Sequence, residues 1–314
     1  MPANWAIVND VVFIVAFYRC SGRVIELAMQ ESVPKSGYLF AAGAVLIWSG
    51  FVLVSRIGGT SVLNAFDIAA LRFGAAALVL LPAWWFWKRV PLFNTKVLSL
   101  ALSGGIAYSV TVYFAFKHAP AAHGAVLISG LLPFFVPLMA LLILREPLRR
   151  SLRIALPVIA LGMLCLGVDI FSRSDNTLPG DLLLIASSLI WALYTILAKR
   201  SGLGAWETAI GSALLAALIY LPVYLLFLPK AIMLAPMQDI ILQAFYQGVV
   251  VAVIAMLFFM AAMTRLGPTR LGACMALVPA VAGISASLIL GEQLNAWLVA
   301  GLLITSTGAW LGAK

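Results

Sequence analysis

Arg72 is the only basic residue in the apolar segment 66–87. Its guanidinium stays charged and offers five N–H donors in a planar fork that fits a carboxylate or a phosphate. A charge deep in an apolar segment is costly unless it faces water or a partner, so Arg72 is a candidate for binding an anionic group. The structural alternatives are that its side chain reaches toward a membrane interface or bonds the carbonyls of a helix end.

A second set of residues combines aromatic rings with neutral hydrogen-bonding groups. Gln243, Tyr246 and Gln247 are spaced i, i+3, i+4, which places them on one face of a helix. Two carboxamides would be unfavourable in lipid, so this face is expected to look into the protein and line a cavity for an amphipathic small molecule. The alternative for the rings is packing or anchoring at the membrane interface. The other residues predicted to line this cavity are Trp48, Ser49, Tyr108, Tyr113, Trp191 and Tyr194.

The remaining polar residues do not form a catalytic or metal-binding pattern. Glu146 and Glu292 lie at the ends of apolar runs, where they are expected to cap or pair structurally. Asp169 and Asp181 also lie near run ends, which gives little support to a buried proton relay. His118 and His123 fall in the short outer connection between the third and fourth apolar runs, where no acidic or cysteine residue is expected nearby, which argues against a metal site. The sequence therefore predicts no catalytic residue, cofactor or metal, and we expect a protein that is not an enzyme.

The composition indicates the elements that must position these residues. Of the 314 residues, 64% are hydrophobic and 10% charged, which excludes an ordinary soluble domain. Each apolar run is close to the ~20 residues that a helix needs to cross a bilayer. The prediction is an all-α membrane protein with ten transmembrane helices. The ten runs are 37–55, 66–87, 97–116, 122–144, 152–171, 181–199, 206–228, 240–263, 270–291 and 296–313.

The chain contains one five-helix pattern twice. The recurring residues keep an offset of 140–146 positions. The matching pairs are Trp48 and Trp191, Pro82 and Pro222, Gly105 and Gly248, Pro133 and Pro279, Glu146 and Glu292, and Gly162 and Gly308. Because five helices is an odd number, the second copy must enter the membrane from the opposite side. The prediction is two inverted repeats, 37–179 and 180–314, an arrangement typical of transporters.

Basic residues predict the orientation of the chain. If the amino terminus is cytoplasmic, fifteen Lys and Arg residues fall on the inner side and four on the outer side. Arg72, inside the membrane, completes the twenty. This positive-inside bias predicts a multi-pass protein of the cell (inner) membrane with both termini in the cytoplasm. The net charge of +9 therefore reflects topology, and no nucleic-acid partner is expected.

Residues 1–36 stand outside the repeats. The apolar stretch near their start is too short to span a bilayer and has no cleavage site. It could form an interfacial helix, or translation could begin at Met29. Both interpretations stay open.

Residues 37–313 resemble the EamA-type members of the drug/metabolite transporter superfamily. The resemblance rests on Leu46-Ile47-Trp48-Ser49, on Leu71-Arg72-Phe73, and on the recurring prolines and glutamates. The family typically has Gly where this chain has Ser49, which leaves the packing role of that position open. The resemblance implies a ten-helix bundle of inverted repeats that exports or exchanges small metabolites, amino acids among them.

The function predicted from these features is secondary transport by alternating access. Matching Pro133 and Pro279 would bend two symmetry-related helices alike and form a pair of hinges. A channel-like facilitator of the same fold is the first alternative, and an intramembrane enzyme is the second. The expected partners are a small-molecule substrate and the lipid bilayer, and the protein is expected to be a monomer.

Overall fold

The structure is a computed structural model that describes residues 35–86, 89–148, 150–172 and 176–313. The amino-terminal segment, with its two open interpretations, lies outside the described residues. The described residues form ten helices long and apolar enough to cross a membrane, which confirms the predicted helix number and order. They are α1 (Lys35–Thr60), α2 (Ala65–Phe86), α3 (Thr95–His118), α4 (Ala121–Leu144), α5 (Arg150–Ile170), α6 (Leu178–Ser201), α7 (Ala205–Phe227), α8 (Met237–Gly267), α9 (Arg270–Leu290) and α10 (Ala296–Ala313).

The contacts between the two repeats follow the inverted symmetry. Helix α1 packs on α8, and their symmetry counterparts α6 and α3 pack on each other in the same way. Three helices of the first repeat pack directly on their own counterparts in the second repeat: α2 on α7, α4 on α9 and α5 on α10. The core is therefore an interface between the repeats, and a space at its centre is walled by both of them.

Two recurring glycines allow α5 and α10 to approach closely. A Cβ on Gly162 would lie 2.9 Å from the backbone nitrogen of Thr305, and a Cβ on Gly308 would lie 3.0 Å from that of Ile159. Such distances are shorter than van der Waals contact, so a side chain at either position would push the helices apart. Each glycine therefore lies where its own helix contacts the other, so the close contact between α5 and α10 explains why the glycine recurs in both repeats.

Helices α4 and α9 are interrupted at comparable places. In α4 the helix breaks at Leu131 and resumes at Leu132, and in α9 it breaks at 276–277 and resumes at Val278. Pro133 and Pro279 are each the second residue of the resumed helix, where the missing N–H of proline leaves no bond unmade. The hinge role of these prolines stays a prediction.

The two interrupted helices differ in length. Pro120 and Pro133 are thirteen positions apart, whereas the corresponding Pro268 and Pro279 are eleven apart. The longer stretch in α4 includes a segment of wide π-helical turns, Ala125–Gly130. A π turn accommodates an extra residue within a continuous helix, so α4 absorbs its added length inside the membrane.

Candidate functional site

A cavity of about 500 Å³ lies between the two repeats. Helices α1 to α4 of the first repeat and α6 to α8 of the second contribute to its walls. It extends to the end of the bundle where α6 joins α7, and there Lys199 lines it with a side chain that is 57% exposed. We call this the Lys199 end, and the opposite end the Glu292 end. The volume is within the range of small-molecule sites, about 300–1,000 Å³.

Arg72 lines the cavity at about two turns from the start of α2. Its Nη1 donates to the Tyr113 hydroxyl at 3.3 Å, and its guanidinium carbon lies 5.8 Å from the centre of the Phe51 ring. Within the described part of the chain no carboxylate lies within ion-pair distance of it. The cavity therefore contains a positive charge whose neighbours are a ring face and a neutral hydroxyl.

Aromatic rings from both repeats form the walls around this charge. Trp48 stacks on Phe259 with 5.9 Å between ring centres. Its repeat counterpart Trp191 lies 4.6 Å from Tyr108 and 5.0 Å from Tyr194. All five rings line the cavity, so five of the residues predicted from sequence (Arg72, Trp48, Tyr108, Trp191 and Tyr194) share one space. The lining residues that the sequence analysis did not single out include Phe51, Phe259, Thr208 and Ser212.

The predicted polar face of α8 looks inward but binds α1 instead of lining the cavity. Gln243 donates to the Val54 carbonyl at 2.8 Å, and Tyr246 donates to the Ile47 carbonyl at 3.0 Å. Gly50 and Gly58 on α1 leave the room that these side chains fill, since a Cβ at either position would overlap them. Gly50 and Gly58 are therefore the residues in the sequence that could have indicated a close contact between α1 and α8.

The other predicted residues outside the cavity lining are also engaged in packing. Gln247 donates to the Ser55 hydroxyl at 3.0 Å, and both groups are fully buried. Ser49 donates to the Val278 carbonyl at 3.4 Å, next to the interruption of α9. Tyr113 is buried behind Arg72 and accepts its hydrogen bond. These residues pack behind the residues that line the cavity. Sequence periodicity shows which helix face points inward, but it does not distinguish a residue that lines the cavity from one that packs behind it.

Glu146 and Glu292 occupy matching positions after the ends of α4 and α9. Each follows a residue in the left-handed conformation, Arg145 with φ 56° and Gly291 with φ 68°. Their backbone N–H groups make equivalent bonds to the Ala140 and Ala286 carbonyls, at 3.3 and 3.4 Å. The left-handed residue ends the helix and turns the glutamate back toward the bundle.

Glu292 fastens one end of the bundle. Its carboxylate accepts hydrogen bonds from the backbone nitrogens of Ala121 and Ala122 at 2.8 and 2.9 Å, at the start of α4. It also lies 3.6 Å from the Arg56 guanidinium, which donates to the Phe116 carbonyl at 2.7 Å. A carboxylate is favourable at a helix amino terminus because free N–H groups and the helix dipole both attract it. Helices of both repeats are thus joined at the Glu292 end.

An equivalent ion pair stands at the other end. Glu146 accepts from Lys199 at 2.7 Å, and Lys199 is the repeat counterpart of Arg56 at an offset of 143. The side chains of the Arg56–Glu292 pair are 23% and 15% exposed, whereas those of Lys199 and Glu146 are 57% and 46% exposed. The two glutamates were predicted as structural, and their partners were not predicted. The cavity lining reaches the exposed ion pair at the Lys199 end and includes none of the residues joined at the Glu292 end.

His123 contradicts the expectation that no acidic residue lies near it. It lies in the first turn of α4, completely buried, with Nδ1 2.8 Å from Asp181 Oδ1 and Nε2 2.9 Å from Asp169 Oδ2. The two acids come from the ends of α6 and α5, so sequence distance concealed the contact. Within the described ranges no group of three His, Cys, Asp or Glu side chains is arranged to hold a metal ion.

A sequence model of the EamA-like transporter family matches the chain over residues 35–168 and 178–312. The chain belongs to the EamA-like transporter family. The two matches cover α1 to α5 and α6 to α10, so each EamA-like unit corresponds to one structural repeat.

The curated relatives of this EamA-like protein are transporters by name. An uncharacterized transporter of Archaeoglobus fulgidus is 27% identical over 87% of this chain and 96% of its own length. The threonine/homoserine exporter RhtA of Escherichia coli is 30% identical over 81% of this chain and 80% of its own length. One solved crystal structure, 20% identical, matches with a TM-score of 0.60 over 88% of this chain and 96% of that chain, which shows a shared fold.

Proposed function

We propose that this EamA-like transporter exports or exchanges a small metabolite with an anionic group, such as an amino acid, by alternating access. The observation that carries the proposal is a cavity between inverted repeats that contains Arg72 and whose lining reaches the exposed Lys199 at one end but none of the residues joined at the Glu292 end. A carboxylate would take the donors of Arg72 that face the cavity. The aromatic walls would contact the apolar part of the substrate, and their faces would attract an ammonium group.

The relative named as a threonine/homoserine exporter supports an amino acid as the substrate class. A cavity of about 500 Å³ is large enough for such a molecule, and the neutral hydroxyl groups of Thr195, Thr208 and Ser212 are part of its lining. No acidic side chain lines it within the described residues, so it favours an anionic or zwitterionic substrate over a simple cation.

Alternating access is favoured over a channel-like facilitator because equivalent ion pairs stand at the two ends with unequal exposure. In a carrier, one end opens as the other closes, and the repeats exchange conformations. We infer that the interruptions beside Pro133 and Pro279 are the hinges for this exchange. The cavity has walls from both repeats of a single chain, which supports a monomer as the working unit.

Counterflow distinguishes a carrier from a facilitator. We expect proteoliposomes preloaded with unlabelled substrate to accumulate labelled substrate transiently above equilibrium, because the unlabelled substrate inside competes with the labelled substrate for the carrier and slows its exit. The candidate substrates come from comparing the metabolites that cells release with and without expression, with threonine and homoserine as the first probes. Protein-free liposomes provide the baseline. Flux that is not saturable and does not respond to internal substrate would favour the facilitator and contradict the proposal.

The proposed orientation in the cell membrane has both termini in the cytoplasm, so that the Lys199 end faces inward. In a cysteine-free background, Ser174→Cys is expected to react with an impermeant maleimide in intact cells, because the 172–180 connection would be external. Ser151→Cys at the start of α5 is expected to react only after the membrane is permeabilised. The reverse pattern would turn the Lys199 end outward and make uptake the loading direction.

A further inference from the structure

Three titratable side chains are buried at the Glu292 end and do not line the cavity. His123 and Asp169 are completely buried and Asp181 is nearly so. They come from α4, α5 and α6 and therefore link the first repeat to the second. A buried group of this kind needs to have its charges and hydrogen bonds balanced within the cluster.

The hydrogen bonds of the cluster require an additional proton. An ionised carboxylate only accepts hydrogen bonds, and a neutral imidazole has one N–H and one lone pair. Both ring nitrogens of His123 face carboxylate oxygens at 2.8 and 2.9 Å, so a neutral ring would direct its lone pair at one of them. Both contacts are attractive only when the cluster holds one proton more than a neutral histidine with two carboxylates.

The other carboxylate oxygens place that proton on the ring. Asp181 Oδ2 accepts from the Thr177 hydroxyl at 2.7 Å, and Asp169 Oδ1 accepts from the Asn295 amide. These oxygens already have donors, so the additional proton lies between a ring nitrogen and the carboxylate oxygen that it faces. Imidazole is a stronger base than a carboxylate, so we place the proton on the ring. The cluster then consists of an imidazolium between two carboxylates.

The cluster lies beside the contact that seals this end. The backbone nitrogens of Ala121 and Ala122, adjacent to His123 in the chain, bind Glu292. Among the described residues, the charged groups facing this first turn of α4 from the helices packed on it are Arg56, Asp169, Asp181 and Glu292. Separating α4 from α5 and α6 would break both imidazole contacts and disturb the Glu292 contact.

The opposite end has no counterpart of the cluster. The ion pair is duplicated, but the positions equivalent to His123 and Asp181 are Leu271 and Tyr38. Protonation therefore acts on one end and changes the balance between the two conformations.

We propose that the His123–Asp169–Asp181 cluster is a proton-binding site that keeps the Glu292 end closed while occupied. Release transfers a ring N–H proton to water, and no other covalent bond changes. The ring lone pair then faces a carboxylate in a buried cluster that has gained a negative charge, and the end opens. The coupling to transport rests on the proposed alternating access.

The protonation state can be read directly. The chain has two histidines, so the His118→Gln variant leaves His123 as the single ring signal of the full-length protein. With ring-¹⁵N histidine, we expect both ring nitrogens to be protonated at about pH 7.5, where a free histidine is largely neutral. One unprotonated ring nitrogen at that pH would overturn the proposal, and the measurement needs no substrate.

The opening can be measured with a cysteine at Ala125, completely buried one turn below Ala121. In a cysteine-free, reconstituted protein, Ala125→Cys should react with a maleimide about ten-fold faster once raised pH removes the ring proton, the effect of losing one charged hydrogen bond. The rate is compared with that of an always-exposed cysteine, because the reagent itself is pH-dependent. His118→Gln should keep this dependence, whereas His123→Gln should be fast and nearly pH-independent.

The Asp181→Asn variant tests whether the end stays closed because of the ring proton or only because the three side chains pack together. The asparagine amide can donate to Nδ1 of a neutral ring whose Nε2–H donates to Asp169, so the link no longer needs the proton. This variant should stay slow at raised pH. If it opens like the parent, or if His123→Gln keeps the parent's pH dependence, the proposal is wrong. If the pH effects are observed but counterflow is not, the proposed transport is wrong and the proton site stands. If counterflow is observed but the pH effects are not, the proton site is wrong and the proposed transport stands.

Discussion

Arg72→Ala is expected to reduce the ratio of transport rate to half-saturation concentration by about a hundred-fold, because the substrate carboxylate loses its charged hydrogen bonds. Arg72→Lys keeps the charge and loses the planar fork, so we expect a smaller reduction of about ten-fold, mainly in half-saturation. Counterflow in proteoliposomes measures both, with the amount of folded protein determined alongside by size-exclusion chromatography.

The control for Arg72 is Arg153→Ala, which removes an exposed arginine at the start of α5 and should leave transport at the parent rate. A structural role for Arg72 would reduce folded yield in proportion to transport, because its bond to Tyr113 supports the wall. If Arg72→Ala folds normally and transports like the parent, the anion site is elsewhere. The ring lining around Trp48 and Trp191 would then be the next place to search.

Glu292→Gln and Glu146→Gln are expected to shift the conformational equilibrium in opposite directions. Glu292→Gln weakens the ion pair with Arg56 and the capping of α4, and charged hydrogen bonds of this kind contribute about 1.5–3 kcal/mol each. The population closed at the Glu292 end should fall at least about ten-fold relative to the open one. Fluorescent labels across each end, followed by single-molecule energy transfer, measure the two populations.

The expectation for Glu146 comes from the repeat. In this conformation its pair with Lys199 is about half exposed and contributes little. In the opposite conformation, symmetry would bring Glu146 to the backbone N–H groups of Thr269 and Arg270, the counterparts of Ala121 and Ala122. Glu146→Gln should therefore favour the conformation described here. The double variant should return close to the parent balance, and two shifts in the same direction would contradict reciprocal closure.

Much of the fold follows from the sequence because the membrane restricts it. Continuous apolar runs fix ten helices, and the offset between Trp48 and Trp191 indicates the inverted repeat. Deep Arg72 and the midhelix tryptophans pointed to residues that the structure brings into one cavity.

The rest depended on contacts between distant segments. The spacing of Gln243 and Gln247 showed that their face points inward, but a cavity and a neighbouring helix are both inward. His123 meets acids from two other helices that no local pattern connects to it. The ion pairs at the two ends could be anticipated only by pairing each glutamate with the basic residue of the other repeat.

The unequal lengths of α4 and α9 have a kinetic consequence. Pro120 and Pro133 are thirteen residues apart and their counterparts eleven, so in the proposed alternating access the two hinges would not move through equivalent barriers. Unequal barriers cannot pump, because a passive cycle must relax to the same equilibrium from either direction. They can make the two faces of the carrier saturate at different concentrations. In the proposed mechanism, a protein built from two copies of one unit would thereby have a preferred working side without any source of energy.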